Sequence, residues 1–313
     1  MLDLLTIGAT KLNTYIRLPS ASLLCGRRKT ECQLCLAAGE KIPVQEFNTQ
    51  IAGTAPNVAV GVAKLGFKTA LMTTVGDDGF LAHAKVFLQK EGVNTKFIKQ
   101  EAGFRSSAAV VLNYQGESTQ LVDLVPHIYR YFGRPWAKFL HVGELGGDYL
   151  SLYRDLIKAK GSIRLSLNPG PVQISERSEI LFRLITTSEI VFLNTVEART
   201  LLKTKASPQK CAEKLYQLGA NIAVVTDGLK GAWAYDGEHS HFAPIFPANT
   251  YETTGAGDGF TSGVLAGLLA NIDLPTCLQW GAINAGSVVT KIGPTKGLLN
   301  RDELKRAIKS GRL

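Results

Sequence analysis

A chain of 313 residues, 45% apolar and 19% charged, has the make-up of a globular protein with a substantial core, in one large α/β domain or two smaller ones. No uninterrupted apolar run approaches the roughly 20 residues of a membrane helix, and the start Met1-Leu2-Asp3-Leu4-Leu5-Thr6-Ile7-Gly8 lacks a basic leader, so a cytoplasmic protein is expected. The formal charge of +9, from 35 basic and 26 acidic residues, favours anionic ligands such as nucleotides or sugar phosphates; without a zinc finger, an RNA-binding aromatic motif or a long basic run, nucleic acid is not supported.

Strand-like and helix-like patterns alternate along most of the chain, which predicts a mainly parallel sheet with helices on both faces. Leu4–Gly8 reads as a first strand. From Ser20 to Gln50 the chain carries short alternating strands and no helix, the pattern of a small β lid over a cleft. The main rhythm resumes at Ile51-Ala52-Gly53, with Pro56 as a first helical residue and Val58, Val62 and Leu65 as the buried stripe of a helix ending at Gly66. Thr69–Val75 is a strand, and Gly79–Lys90 a helix stopped by Gly92. Ala108–Tyr114 and Ser118–Val122 form a hairpin through Gln115-Gly116. Strands Phe139–Val142 and Ile163–Leu167 flank a helix over Asp148–Lys160. Ile190–Leu193 and Ile222–Thr226 are further core strands, the second followed by a Gly-rich turn and a hairpin through Asp236-Gly237. The end is helical: Gly257–Ala270, Thr276–Lys291 and Asp302–Lys309. The expected division is a large α/β domain of 1–19 and 51–313 with a lid of 20–50, to which part of 95–125 adds.

The five cysteines are an odd number, as in a chain that does not rely on disulfides. Cys32-Gln33-Leu34-Cys35 has C-x-x-C spacing beside Cys25, but no fourth ligand lies near. The alternation is strand-like rather than a helix start, so ordinary apolar packing is expected of all three.

The densest cluster of small residues in the C-terminal half is Glu252-Thr253-Thr254-Gly255-Ala256-Gly257-Asp258-Gly259-Phe260, which runs into a helical apolar pattern at Val264, Leu265 and Leu268. A Gly-Ala-Gly turn opening a helix leaves N–H groups of Gly255, Ala256 and Gly257 aimed at one point, an anion site with the helix dipole behind it. A carboxylate beside it fits a base that takes a proton from a group attacking that anion; the other reading is an N-capping aspartate.

Four patches together resemble the ribokinase-like (PfkB) carbohydrate kinases. Thr253-Thr254-Gly255-Ala256-Gly257-Asp258 is similar to their second signature and Ala52-Gly53-Thr54-Ala55-Pro56-Asn57 to their first. Asn194-Thr195-Val196-Glu197 resembles their N-x-x-E motif, and Thr226-Asp227-Gly228-Leu229-Lys230-Gly231 their nucleotide loop. The order and spacing cover essentially the whole chain. The resemblance implies a three-layer α/β/α fold with a mainly parallel central sheet and a small β lid. It also implies ATP and Mg²⁺ as cofactors and transfer of phosphate to a primary hydroxyl of a sugar, with Asp258 as base and Gly255, Ala256 and Gly257 as the anion hole. Asn194, Thr226, Gly228, Gly231, Gly257 and Asn284 are then the nucleotide residues, Asn194 and Glu197 the pair that holds Mg²⁺ through water, and Asn13, Gly53, Thr54, Asn57, Glu144 and Asp258 the substrate residues. Asn194 and Glu197, three apart, are equally the pattern of a helix cap.

Departures from the family lie mostly on the sugar side. Asn13 stands where an aspartate is usual, Ala52 replaces a glycine, and Ser118 follows Gly116-Glu117 where the family has arginine. Glu252 replaces an aspartate that, in the family, helps hold a monovalent cation such as K⁺ together with the loop near Gly293; its extra methylene alters that site. Alternative acceptors are a nucleoside of the adenosine type or a sugar phosphate, with Lys11 or Arg105 as phosphate contacts. The different class is a non-catalytic sugar- or nucleotide-binding protein of the same fold. A homodimer through the lid edge is the expected assembly.

Overall fold

Strands buried on both faces must be covered by helices on both sides, and this chain alternates the two. The computed structural model describes residues 1–25, 32–115, 117–133, 135–159 and 164–313. Its first part runs β1 (Leu2–Ile7), β2 (Lys11–Arg17), β3 (Ser22–Cys25), β4 (Cys32–Cys35), β5 (Glu46–Ala52), α1 (Thr54–Lys64), β6 (Thr69–Gly76) and α2 (Phe80–Lys90). There follow β7 (Val93–Glu101), β8 (Ser107–Tyr114), β9 (Glu117–Asp123), β10 (Ala137–Val142), α3 (Leu150–Lys158), β11 (Arg164–Leu167), α4 (Pro171–Glu176) and α5 (Glu179–Ile185). The last part is β12 (Ile190–Asn194), α6 (Thr195–Leu202), α7 (Pro208–Gln217), β13 (Ile222–Thr226), β14 (Ala232–Tyr235), β15 (Ser240–Ala243), α8 (Ala256–Leu269), α9 (Leu274–Val288) and α10 (Arg301–Ser310).

The central sheet has the order β15-β14-β13-β12-β11-β10-β1-β6-β7, parallel from β13 to β7 with an antiparallel hairpin at the β15 edge. Successive side chains divide between the two helical layers as the strand period requires. On β12, Val191 and Leu193 join the core under α3 to α7, while Ile190 and Phe192 join the core under α1, α8 and α9. Within the second layer, α8 is apolar or small at nearly every position and almost wholly buried, so α9 packs directly along it. The packing is close enough that a Cβ on Gly263 would lie 2.6 Å from the Trp280 carbonyl and 2.7 Å from the Gly281 backbone. The parallel strands all end on one side, and the loops after β1, β10, β11, β12 and β13 meet there, where open α/β sheets offer a cleft.

A second sheet, β5-β2-β8-β9, stands apart from the first. On β2, Lys11, Asn13 and Tyr15 are buried while Leu12, Thr14 and Ile16 turn outward, so one face looks at the body of the protein. The composition of this sheet corrects the expected lid boundary at Ser20. Its centre is β2, which leaves the core only three residues after β1, and it recruits the hairpin β8–β9. Of the stretch 20–50 only β5 belongs to it; β3 and β4 form a separate two-stranded ribbon. In β2 the polar Asn13, Thr14 and Arg17 weaken the apolar alternation that marks a strand.

The cysteine expectation also changes. Cys25 and Cys32 are exposed and joined in a disulfide rather than packed in a core. The antiparallel register of β3 and β4 places them directly opposite each other, with Cα atoms 4.0 Å apart. Cys35 stays free at the other end of the ribbon, and Cys211 and Cys277 are buried thiols. The basic run Arg27-Arg28-Lys29, the turn residue Gly116, the helix end at Lys160 and the strand start at Ile163 lie outside the described residues. Among the described residues no helix is long and apolar enough to cross a membrane.

Because Gly263 meets backbone rather than a movable side chain, Gly263→Ala is expected to destabilise the protein by about 1–3 kcal/mol. Urea unfolding monitored by circular dichroism checks this; an unchanged midpoint would mean that α8 and α9 pack less closely than described.

Candidate active site

Helix α8 starts at Gly255, whose φ of 83° is left-handed and whose missing side chain leaves room for Pro294. This sharp entry turns the first helical turn toward the cleft. The Ala256 N–H donates to the Thr253 carbonyl at 3.2 Å, so it is engaged in the turn and not free for an anion as expected. Among the described residues nothing accepts from the N–H groups of Gly255 and Gly257. Gly257 is exposed on the cavity wall, and a Cβ built on it would meet nothing within 4 Å. The anion hole expected from three N–H groups is therefore open at two of them.

Asp258 follows on the same turn, half-buried, and lines a cavity of about 360 Å³. Its Oδ2 accepts a hydrogen bond from Asn57 Nδ2 at 2.6 Å. Burial pushes its carboxyl up from the usual 3.8 to about 7; Asn57 and the Lys11 charge oppose the rise, and the charges of Glu144 and Glu197 add to it. Although the side chain keeps some access to solvent, it sits in a concave wall lined by other carboxylates, and water there screens it poorly. A carboxyl poised near neutrality within an anion-binding turn has the protonation balance of a general base.

Asn57 reaches Asp258 from the first turn of α1, in a segment buried from Ala55 to Val62. Thr54, one turn earlier, lines the cavity. Gly53 is pressed against the Ala9 carbonyl and gives α1 its entry, so it acts through position and offers no side chain to a ligand. From the loop after β10, Glu144 lines the cavity and its Oε2 accepts from Lys11 Nζ at 2.6 Å, with side-chain exposures of 16% and 6%. Asn13 is buried behind Lys11 on the same face of β2, donates from Nδ2 to the Tyr15 hydroxyl, and leaves its Oδ1 without a partner. Asn57 Oδ1 is likewise buried and unpartnered.

The opposite wall comes from the ends of β12 and β13. Asn194 caps α6: its Oδ1 accepts from the Glu197 N–H and its own N–H donates to Glu197 Oε2, both at 2.9 Å. The helix-cap reading therefore holds for this pair, and the cap places both side chains on the cavity wall with Thr226. Burial, with the Glu144 charge adding to it, raises the Glu197 carboxyl above the usual range. A divalent cation nearby would reverse that rise, so the site suits Mg²⁺. Among the described residues no three metal-ligating side chains cluster to hold a metal themselves; Mg²⁺ here would rely on phosphate oxygens and waters. Gly228 and Gly231 frame a short 3₁₀ turn beyond Thr226, outside the cavity wall, with positive φ at both.

Asn284, expected beside the adenine, is corrected. It is fully buried, donates to the Gly259 carbonyl and Ser262 Oγ at 2.9 Å each, and accepts from the Leu299 N–H. Every hydrogen-bonding group it has ties α8 to α9 and to the segment before α10, leaving no surface for a nucleotide. Glu252 is also buried. Its Oε2 accepts from the Gly293 N–H at 2.8 Å; its Oε1 and the Thr254 Oγ1 make no well-formed hydrogen bond, although the Thr254 and Asn113 side chains lie near enough to oppose the rise that burial gives its carboxyl.

Three contributors were missed or only half seen. The loop Asn168-Pro169-Gly170 after β11 lines the cavity, and a Gly-Pro turn closing a parallel strand was the available signal. Gln120 enters from β9, which no motif marks. Lys11 was considered only as a phosphate contact, and its ion pair with Glu144 has no signature in the sequence. A larger hollow of about 480 Å³ around Phe104, Arg105 and Asp123 contains none of the residues grouped about Asp258.

Known proteins resemble this chain over most of its length. The family described as "pfkB family carbohydrate kinase" matches residues 25–301. The 5-dehydro-2-deoxygluconokinase of Bacillus subtilis is 22% identical, covering 86% of this chain and 90% of its own. The fructokinase of Vibrio alginolyticus is 29% identical, covering 87% and 96%. Among solved structures, the nucleoside kinase of Methanocaldococcus jannaschii superposes with a TM-score of 0.78 at 21% identity, over 99% of this chain and 98% of its own. With the four motifs in order and the family matched over most of its length, this chain belongs to the pfkB carbohydrate kinases, ATP-dependent phosphotransferases that act on sugars.

Proposed function

We propose that the chain transfers the γ-phosphoryl group of ATP to a primary hydroxyl of a sugar, with Asp258 as the general base. The observation that carries this reading is the Asp258 carboxyl, poised near neutrality and facing, across one cavity, the Asn194, Glu197 and Thr226 wall. The acceptor hydroxyl gives its proton to Asp258, its oxygen bonds to the γ-phosphorus, and the bond to the β-phosphate oxygen breaks to release ADP. The N–H groups of Gly255 and Gly257 hold the equatorial oxygens as charge builds on them. Mg²⁺ brought with the nucleotide supplies charge neutralisation beside Asn194 and Glu197. Asn57 holds Asp258 in position, and Thr54, Asn57, Glu144 and Asn13 meet the acceptor under the second sheet, which excludes competing water. The loop over Gly228 and Gly231 serves the nucleotide base. A nucleoside acceptor would use the same chemistry. The buried Glu252 Oε1 and Thr254 Oγ1, which make no well-formed hydrogen bond, would offer oxygens to a K⁺ ion.

The outward face of the second sheet presents Leu12, Phe47 and Leu121 with large exposed areas. We assign it to a homodimer in which two such faces pack. Light scattering is expected to give twice the chain mass, and Phe47→Lys with Leu121→Lys to give a monomer; a monomeric wild type removes the assignment.

Asp258→Asn is expected to keep nucleotide binding and lose turnover by orders of magnitude. A variant retaining more than about a tenth of wild-type turnover would take Asp258 out of the base role. In the wild type, kcat/KM should climb with pH through about 7, where Asp258 loses its proton. Stability should move the other way. The folded protein holds this proton up to about 7 and the unfolded chain only to 3.8, so ionisation costs stability as pH rises across that window. The Asn variant cannot ionise, and its Tm should gain on the wild type between those two pH values.

Gly257→Ala separates fold from chemistry. The new methyl enters open space on a helix, so stability should hold or rise by about 0.5–1 kcal/mol. It also fills the place assigned to the phosphoryl group, and turnover should fall at least about tenfold. Full activity with unchanged stability would move the transferring group away from Gly257.

A further inference from the structure

The acceptor side of the cleft has a one-sided charge balance. Its wall presents the carboxylates of Glu144 and Asp258, with Glu197 across the cavity, and, among the described lining residues, no lysine, arginine or histidine. The ammonium that bears on Asp258 is that of Lys11. It is already neutralised, because Nζ donates to Glu144 Oε2 at 2.6 Å and both side chains are largely buried. Arg105, the other cation named in the sequence as a phosphate contact, pairs with Asp123 at the edge of a different hollow.

An acceptor carrying a carboxylate or phosphate would lie beside Asp258 with no free cation among the described lining residues to meet it. To gain a partner it would have to strip Lys11 from Glu144, leaving a buried carboxylate unpaired. A neutral polyol meets no such conflict. The buried Oδ1 atoms of Asn13 and Asn57 lack partners, and an amide oxygen is free there to accept from a hydroxyl that reaches it, while Lys11 has N–H donors beyond the one given to Glu144. The replacement of the family's usual aspartate by Asn13 keeps an acceptor there without adding another charge.

We infer that the acceptor is uncharged, a neutral sugar or nucleoside rather than a sugar acid or sugar phosphate, and that the Lys11–Glu144 pair sets this preference by withholding the ammonium from an anion. This rests on the kinase reading of the same site. The test uses matched acceptors that share one primary hydroxyl, such as glucose with gluconate and fructose with fructose 1-phosphate, followed by ADP release from Mg²⁺-ATP. Neutral members should exceed their anionic partners in kcat/KM by on the order of 100-fold. An anionic acceptor that equals or beats its neutral partner overturns the proposal.

Glu144→Gln supplies a second arm, since it frees the Lys11 charge. The anionic-to-neutral ratio of kcat/KM should rise by about tenfold or more, whatever happens to absolute rates, and Lys11→Met should show no such rise. An unchanged ratio in Glu144→Gln overturns the role of the pair. Calorimetry with the same acceptors and a non-hydrolysable ATP analogue reads the preference without turnover. Binding of neutral members alone supports the inference, and tighter anionic binding refutes it. Absence of turnover with every acceptor counts instead against the kinase reading, which keeps the two failures apart.

Discussion

Asp258 stays close to half-ionised because its carboxyl lies among protein atoms and within the field of two other acids, Glu144 and Glu197. The same features that would make it a good base make it a burden on the folded state, and the surrounding structure is arranged to carry it. Asn57 holds one oxygen, and the Lys11 ammonium lowers the cost of the charge. Helix α8, which bears the group, is buried along most of its length against α9 and α1. A carboxylate in such a place demands a rigid scaffold, and small residues on α8 and α9 supply it by letting the backbones approach.

The two walls of the cleft use different devices. On the phosphate side, backbone N–H groups and a helix cap do the positioning, so side chains such as Asn194 and Glu197 are locked by local hydrogen bonds. On the acceptor side the groups come from distant parts of the chain and are held by contacts across the cleft: Lys11 with Glu144, Asn57 with Asp258. Local devices resist substitution in the rest of the chain, whereas cross-cleft pairs shift whenever either partner changes.

That difference also decides what was legible in the sequence. The parallel core, the helices of the C-terminal region and the Gly255–Asp258 turn rest on apolar period and on glycine punctuation, which are local signals, and their strands and helices fell within a few residues of expectation. The Asn194–Glu197 cap was readable for the same reason. Asn284 misled because a polar residue on an apolar helix looks the same whether it faces a ligand or satisfies three groups inside the protein. The second sheet was misjudged because β2 pairs with β5 and β8, partners that lie about 35 and 95 residues away along the chain. Lys11–Glu144 spans 133 residues, and no spacing rule reaches across that distance.

The three residues between β1 and β2 have a mechanical consequence. They join the core sheet to the second sheet almost without slack, and the return from β5 into α1 is shorter still, Gly53 alone. Lys11 and Asn13 ride on the second sheet; Asn57 and Asp258 ride on the core. Any rocking of the second sheet on these two straps would shift Lys11 and Asn13 against Thr54, Asn57, Glu144 and Asp258, which stay with the core, so the Lys11–Glu144 pair is the contact that such a motion would strain first.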